Sequence, residues 1–222
     1  MKIVVLSFDD GTIYDRKFIE LLNKYHLRAT LNLNSGLDDY AWYYDKDHEI
    51  KRLHLKECKE LYKNHEVASH TLTHPYLTSL NKEELIYQIN QDVMNLERIF
   101  NKEIISFAVP FDSCNDEIIS MIKENTKIKN VRYPWIKDDY FPIDQFHVHV
   151  NALYDDPLIY DKLEKFASNN LDNSLFVIAG HSYEFEVKND WDKIERLLSY
   201  IANEKELIVL TMKEAVEVLF GK

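Results

Sequence analysis

Apolar and polar positions along this chain follow two rhythms. Short runs rich in β-branched residues read as strands at residues 3–7, 29–33, 66–69, 106–109, 131–133, 146–150, 175–179 and 207–210. Stretches with a three-to-four-residue apolar period read as helices near residues 16–25, 53–62, 115–125, 158–170, 191–203 and 212–219. The clearest helix opens at Asn81, whose side chain caps it, with Glu84 three positions on to complete a capping box. Leu85, Ile89, Val93, Leu96 and Phe100 then form one apolar stripe. Residues 38–48 read as a polar loop. No linker, repeat or shift in composition divides the chain, so residues 1–222 are expected to form a single domain. Strands alternating with helices imply parallel pairing through helical crossovers, in an open sheet or a barrel. Seven or eight strand candidates favour a barrel, and 222 residues fall short of the ~250 of a full eightfold form. The expectation is therefore an α/β fold: a distorted or incomplete (β/α) barrel of about seven parallel strands.

Composition narrows the partners. The chain is 45% hydrophobic and 29% charged, with 4 Gly and 5 Pro, which excludes disordered and collagen-like classes. Its 27 Lys and Arg against 38 Asp and Glu leave a formal net charge of −11. That balance argues against nucleic acid, whose binding depends on neutralising phosphates, and against an anionic membrane surface. Cys58 and Cys114 stand far apart in no metal-binding pattern and are expected to be reduced thiols. The first ten residues offer a short apolar stretch and then two carboxylates, too little for a secretory signal or a membrane span. The sequence thus reads as starting on its first strand, in a cytoplasmic protein.

Four segments could carry chemistry, each just past the carboxyl end of an expected strand. Phe8-Asp9-Asp10-Gly11 follows the first. Its aspartates are adjacent, whereas an aspartyl-nucleophile phosphatase needs them one residue apart, so that reading fails; a plain turn is the remaining alternative. His70 and His74, four apart after the third strand, can share one metal ion, and Asp10 would complete a two-histidine, one-carboxylate set. Val109-Pro110-Phe111 and Gly180-His181 follow two later strands. In a parallel barrel those ends form one rim, where active sites assemble. Independent turn residues would have no reason to converge there.

The motifs Ser7-Phe8-Asp9-Asp10-Gly11, His70-Thr71-Leu72-Thr73-His74, Val109-Pro110-Phe111 and Ala179-Gly180-His181 resemble those of the polysaccharide deacetylase family, the NodB-homology domain of carbohydrate esterase family 4. The resemblance runs from Phe8 to about Trp191 and implies a NodB-type barrel. It implies that Asp10, His70 and His74 hold a divalent ion, zinc first, with cobalt, nickel or manganese as alternatives. Asp9 would be the general base, His181 the acid that protonates the leaving amine, and the Phe111 backbone N–H an oxyanion donor. The implied reaction is removal of acetyl from an N-acetylated sugar. Hydrolysis of another non-peptide carbon–nitrogen bond and a metal- or carbohydrate-binding pseudoenzyme are the alternatives.

Two family features are altered. Ala108 stands where the third motif has Arg, and Arg132 is the candidate replacement. The Asp-Trp of the fourth motif is missing, with Asp138, Asp139 and Asp144 as positional candidates for what orients His181. His147 and His149 share one face of an expected strand and either line the rim or sit on a solvated edge. The 38–48 loop, with Tyr40, Trp42, Tyr43 and Tyr44, is a candidate insertion for gripping substrate, and Tyr183, Glu184 and Trp191 could form an aromatic sugar platform.

Overall fold

The computed structural model describes residues 1–111 and 113–221. Strand β1 (Lys2–Asp9) leads into α1 (Asp15–Lys24) and β2 (Thr30–Leu33). A short antiparallel hairpin, β3 (Ala41–Tyr43) and β4 (Glu49–Lys51), precedes β5 (Glu66–Ser69), α2 (Lys82–Phe100), β6 (Ser106–Ala108) and α3 (Asp116–Asn125). Then follow β7 (Asn130–Ile136), β8 (Val148–Val150), β9 (Ala152–Leu153), α4 (Ile159–Ser168) and β10 (Ser174–His181). The chain ends with α5 (Ser182–Val187), α6 (Trp191–Asn203), β11 (Leu207–Val209) and α7 (Met212–Phe220). Among the described residues no helix is long and apolar enough to cross a membrane.

Eight parallel strands pair in the order β8-β7-β6-β5-β2-β1-β10-β9, with β11 added beside β1. The ends of that path, β8 and β9, are consecutive in the chain and meet at Asn151, so the sheet returns on itself as a nearly closed barrel. Asn151 makes the join. Its amide nitrogen Nδ2 donates to the carbonyls of Lys137 (3.1 Å) and Asp139 (2.8 Å), and its Oδ1 accepts from Val177 N at 2.8 Å. Its own N–H donates to Val177 O at 2.9 Å.

Period-two alternation on β1 sends Val4, Leu6 and Phe8 outward under the helices, where Phe8 packs 4.5 Å from Phe18. It sends Ile3 and Val5 inward, into a second cluster with Val148, Val150, Leu175, Val177 and Ala179. Met212, Ala215 and Val216 of α7 join that inner cluster. Each fully buried aliphatic side chain is worth about 1.5–3 kcal/mol. By the same alternation Asp9 faces inward, at the carboxyl end of β1.

Two elements depart from the sequence reading. The helix expected over 53–62 is one 3-10 turn, Leu55–Glu57, followed by turns. Leu55, Cys58 and Tyr62 are buried at helical spacing, but the backbone is committed elsewhere. Leu53 N donates to Gly11 O at 2.9 Å, and Lys102 Nζ occupies the carbonyls of Tyr62, Lys63 and His65. The 38–48 loop contains β3 of the hairpin. The barrel path of about seven strands is borne out with eight, and its last strand, β9, is the one too short to leave a periodic signal.

Candidate active site

The carboxyl ends of the strands surround a cleft of about 780 Å³. Asp9, Asp10, His70, His74, Phe111 and His181 all line it, so the six residues singled out from the sequence are brought together.

Asp9 ends β1 and is buried. Asn32 Nδ2 donates to its Oδ1 at 2.7 Å, and Arg132 Nη2 donates to its Oδ2 at 2.6 Å. Burial pushes the Asp9 carboxyl up, but Arg132 chiefly, with His70 and His181, outweighs it and holds the group below the usual carboxylate range. Arg132 reaches Asp9 from β7, the strand next to the one that carries Ala108. The cation that Ala108 cannot supply therefore comes from the neighbouring strand.

Asp10 lies just past the strand in a left-handed conformation, φ 84°. A non-glycine residue there is uncommon, and such strain clusters at functional sites. Arg52 Nη2 donates to Asp10 Oδ1 at 2.8 Å, and Arg52 Nη1 donates to the Asp10 carbonyl. Burial raises the Asp10 carboxyl; Arg52 first, then the surrounding histidines, reverse this and hold it well below its ordinary range. His74 Nε2 is 3.6 Å from Asp10 Oδ1. The rings of His70 and His74 meet edge to face with centroids 4.8 Å apart. One donor atom from each of Asp10, His70 and His74 lies within 4.8 Å of the others.

The chemistry of this donor set fits a divalent ion. His70 Nδ1 donates to the Ala108 carbonyl at 2.8 Å, which fixes the tautomer and leaves the Nε2 lone pair free toward the cleft. Burial pushes the His70 imidazole down to about 4 and also lowers His74. At neutral pH both rings are therefore neutral and the carboxylate charged, the protonation states a metal needs.

His181 ends β10, with Nε2 3.9 Å from Asp10 Oδ2. Its Nδ1 faces Glu184 Oε2 at 3.2 Å, and Glu184 Oε2 also accepts from the His181 N–H. Burial pulls the ring down, yet Glu184, Asp10 and Asp9 raise it to about 9, so it is an imidazolium at neutral pH. Lys188 Nζ holds the other Glu184 oxygen, Oε1, at 2.8 Å and Asp155 at 2.9 Å. None of the three positional candidates for this brace reaches His181. Asp138 pairs with Lys165, Asp139 accepts from Phe141 N, and Asp144 holds His147.

The open side of the cleft is aromatic. Tyr40 and Trp42, on the hairpin segment, stack with centroids 6.4 Å apart, and Trp42 meets the edge of Tyr183 at 5.5 Å. Phe111, at φ 52° and partly exposed, stacks on Tyr76 at 4.1 Å and touches the edge of His74 at 4.4 Å. Trp191 lies away from the cleft against Phe185. His147 and His149 face a separate groove with Tyr133 and Trp135 and do not touch the rim.

Arg52, Asn34 and Asn32 were not marked by the sequence, since each serves a residue distant in the chain. Glu184 had a local signal as a brace: it stands three positions after His181 at the start of α5, as the second half of a capping box.

A family model described as polysaccharide deacetylase matches residues 1–127. The peptidoglycan-N-acetylmuramic acid deacetylase PdaC of Bacillus subtilis (strain 168) is 30% identical over 132 residues, 59% of this chain and 26% of its own length. The match thus spans about a quarter of that relative. The solved structure of peptidoglycan deacetylase PdaC from Bacillus subtilis superposes with a TM-score of 0.61 at 18% identity, covering 98% of this chain and 91% of that one. A CE4 family pseudoenzyme from Bacillus anthracis superposes at 0.59 with 17% identity, covering 97% of this chain and 65% of that one. At these identities the superpositions show the fold alone.

Proposed function

The chain belongs to the polysaccharide deacetylase family, and from that premise we propose that it is a metal-dependent hydrolase that removes acetyl groups from an N-acetylated saccharide. The observation that carries this reading is the donor set of Asp10, His70 and His74 in ligand-ready protonation states, directly beside a second, separately braced carboxylate, Asp9.

Asp10, His70 and His74 would hold a divalent ion, which would supply Lewis acidity at the acetyl carbonyl. The chain's own groups do the rest. Asp9 accepts the proton of the attacking water. Held below its ordinary range, it is ionised at neutral pH and free to accept a proton. The Phe111 N–H donates to the developing oxyanion. His181, with Nδ1 held by Glu184, presents its proton on Nε2 to the departing amine. An amide nitrogen leaves poorly without that proton. Tyr40, Trp42 and Tyr183 offer aromatic faces for the apolar face of a sugar ring.

The test is release of acetate or free amine from N-acetylglucosamine oligomers and from peptidoglycan fragments containing N-acetylmuramic acid. Activity should vanish on chelation and return with zinc, cobalt or nickel. Asp9→Asn should abolish turnover while the ion stays bound. Tight ion binding without turnover on any amide would refute the hydrolase and indicate a binding protein.

A further inference from the structure

We infer that Arg52 and Asn34 form a clamp that locks the Asp10 segment to the His70–His74 segment, and that this clamp sets the affinity of the site for its divalent ion. The inference rests on the metal reading above and concerns two residues outside the donor set.

Three residues of the donor segments lie in left-handed backbone: Asp10 at φ 84°, Thr71 at 70° and His74 at 56°. None is glycine, so each needs outside support to persist. Arg52 supports the first. Its Nη1 donates to the Asp10 carbonyl while its Nη2 donates to Asp10 Oδ1 at 2.8 Å, so one planar guanidinium fixes both the backbone and the side chain. Arg52 is itself anchored to the same stretch. Thr12 and Arg52 form an antiparallel bridge, with Ile13 N donating to Lys51 O and Leu53 N to Gly11 O, each at 2.9 Å.

Asn34 supports the second segment. Its Nδ2 donates to the carbonyls of His70 and, at 2.8 Å, Thr71. Its Oδ1 accepts from Arg52 Nη1 at 2.6 Å. Two carbonyl acceptors and one guanidinium donor admit only this orientation of the amide. The path Asp10–Arg52–Asn34–His70 thus joins the two donor segments through side chains that are all buried.

A guanidinium so close could instead act only as a rival positive charge that weakens ion binding. The two accounts give opposite signs. Removing an outer partner of a ligand lowers metal affinity by about 10–100-fold. Removing a bare repulsive charge raises it. Asn34→Ala separates the two cleanly, because it cuts the clamp and leaves every charge in place.

The experiment is calorimetric titration of the purified chain with Zn²⁺, supported by Co²⁺ absorption to report ligand geometry. Asn34→Ala should weaken binding about tenfold or more, Arg52→Met at least as much, and Arg52→Lys by less, since an ammonium keeps the charge but loses the fork. The double variant should lose less than the sum of the singles. Zn²⁺ binding by Asn34→Ala equal to wild type, or tighter binding by Arg52→Met, overturns the clamp while leaving the metal reading intact. Should Arg52→Met fail to fold by circular dichroism, Asn34→Ala and Arg52→Lys decide. Wild-type protein that takes up neither ion overturns the metal reading and the clamp with it.

Discussion

Asp9 and Asp10 are neighbours, yet each is kept ionised by its own arginine, Arg132 for the first and Arg52 for the second. Arg132→Met should therefore let the Asp9 carboxyl climb, since burial then acts with less opposition. Asp9, the proposed general base, works only when deprotonated, so the acidic limb of the kcat/KM profile should move to higher pH. The drop at neutral pH is expected at about 10–100-fold. An unchanged acidic limb would remove Arg132 from the site. Glu184→Gln acts on the other limb. His181 sits at about 9 with Glu184 as the largest upward influence, and its loss should bring the ring toward its ordinary value of about 6.5. His181, the proposed acid, must be protonated, so the alkaline limb should shift to lower pH, with about tenfold less activity at pH 8. The motif residues Asp9, Asp10, His70, His74 and His181 were legible because each motif is contiguous. Arg132 could be named as the candidate replacement for the cation missing at Ala108, whereas Arg52 and Asn34 were not readable, because their partners are chosen across space by strand pairing and hairpin placement.

Among the elements, the capping box of α2 could be read directly, since Asn81 and Glu84 need only each other: Asn81 Oδ1 accepts from Glu84 N at 2.9 Å and Glu84 Oε2 from Asn81 N at 3.0 Å. The β3–β4 hairpin could not. Its strands are three residues long, too short for alternation to show, and only Ile50 among them is buried. What fixes it is tertiary: Arg52 N donates to Tyr40 O at 2.9 Å, and the Arg52 guanidinium lies 5.3 Å from the Trp42 ring centroid. Trp42 thus shares Arg52 with the Asp10 carboxylate but stands on the open side of the cleft. Trp42→Ala should raise KM for an N-acetylglucosamine oligomer about tenfold and leave kcat nearly unchanged, the signature of lost uniform binding. A fall in kcat with KM unchanged would instead make the hairpin part of the chemistry.

Across the whole molecule, strand runs alternating with helical stretches made the barrel and its rim readable, whereas closure through Asn151 depends on one side chain bridging a break in pairing. The stability of that barrel should carry two opposed pH dependences. His65 is buried: its Nδ1 accepts from Ala29 N at 3.3 Å and its Nε2 has no partner, and burial first, then Lys102 and Arg28, lower the ring to about 4. The unfolded chain binds this proton from about pH 6.5 downward, so the contribution is complete above 6.5 and lost as pH falls toward 4, about 3 kcal/mol in all. Asp92 runs the other way. Burial raises it to about 7, against hydrogen bonds from Ser35 and Ser69, so its folded form keeps a proton that the unfolded form has released. That contribution is complete below about 3.8 and lost as pH rises through 7. Both contributions change between pH 4 and 6.5 with opposite signs, and single variants should uncover each against wild type. In urea unfolding at pH 4.5, 5.5 and 6.5, His65→Gln should lose stability more steeply with rising pH than wild type. Asp92→Asn should lose stability less steeply, or gain it, over the same range compared with wild type. Parallel curves for wild type and His65→Gln would mean that His65 titrates alike in both states, and the buried, half-paired imidazole would then contribute nothing to the pH response of the fold.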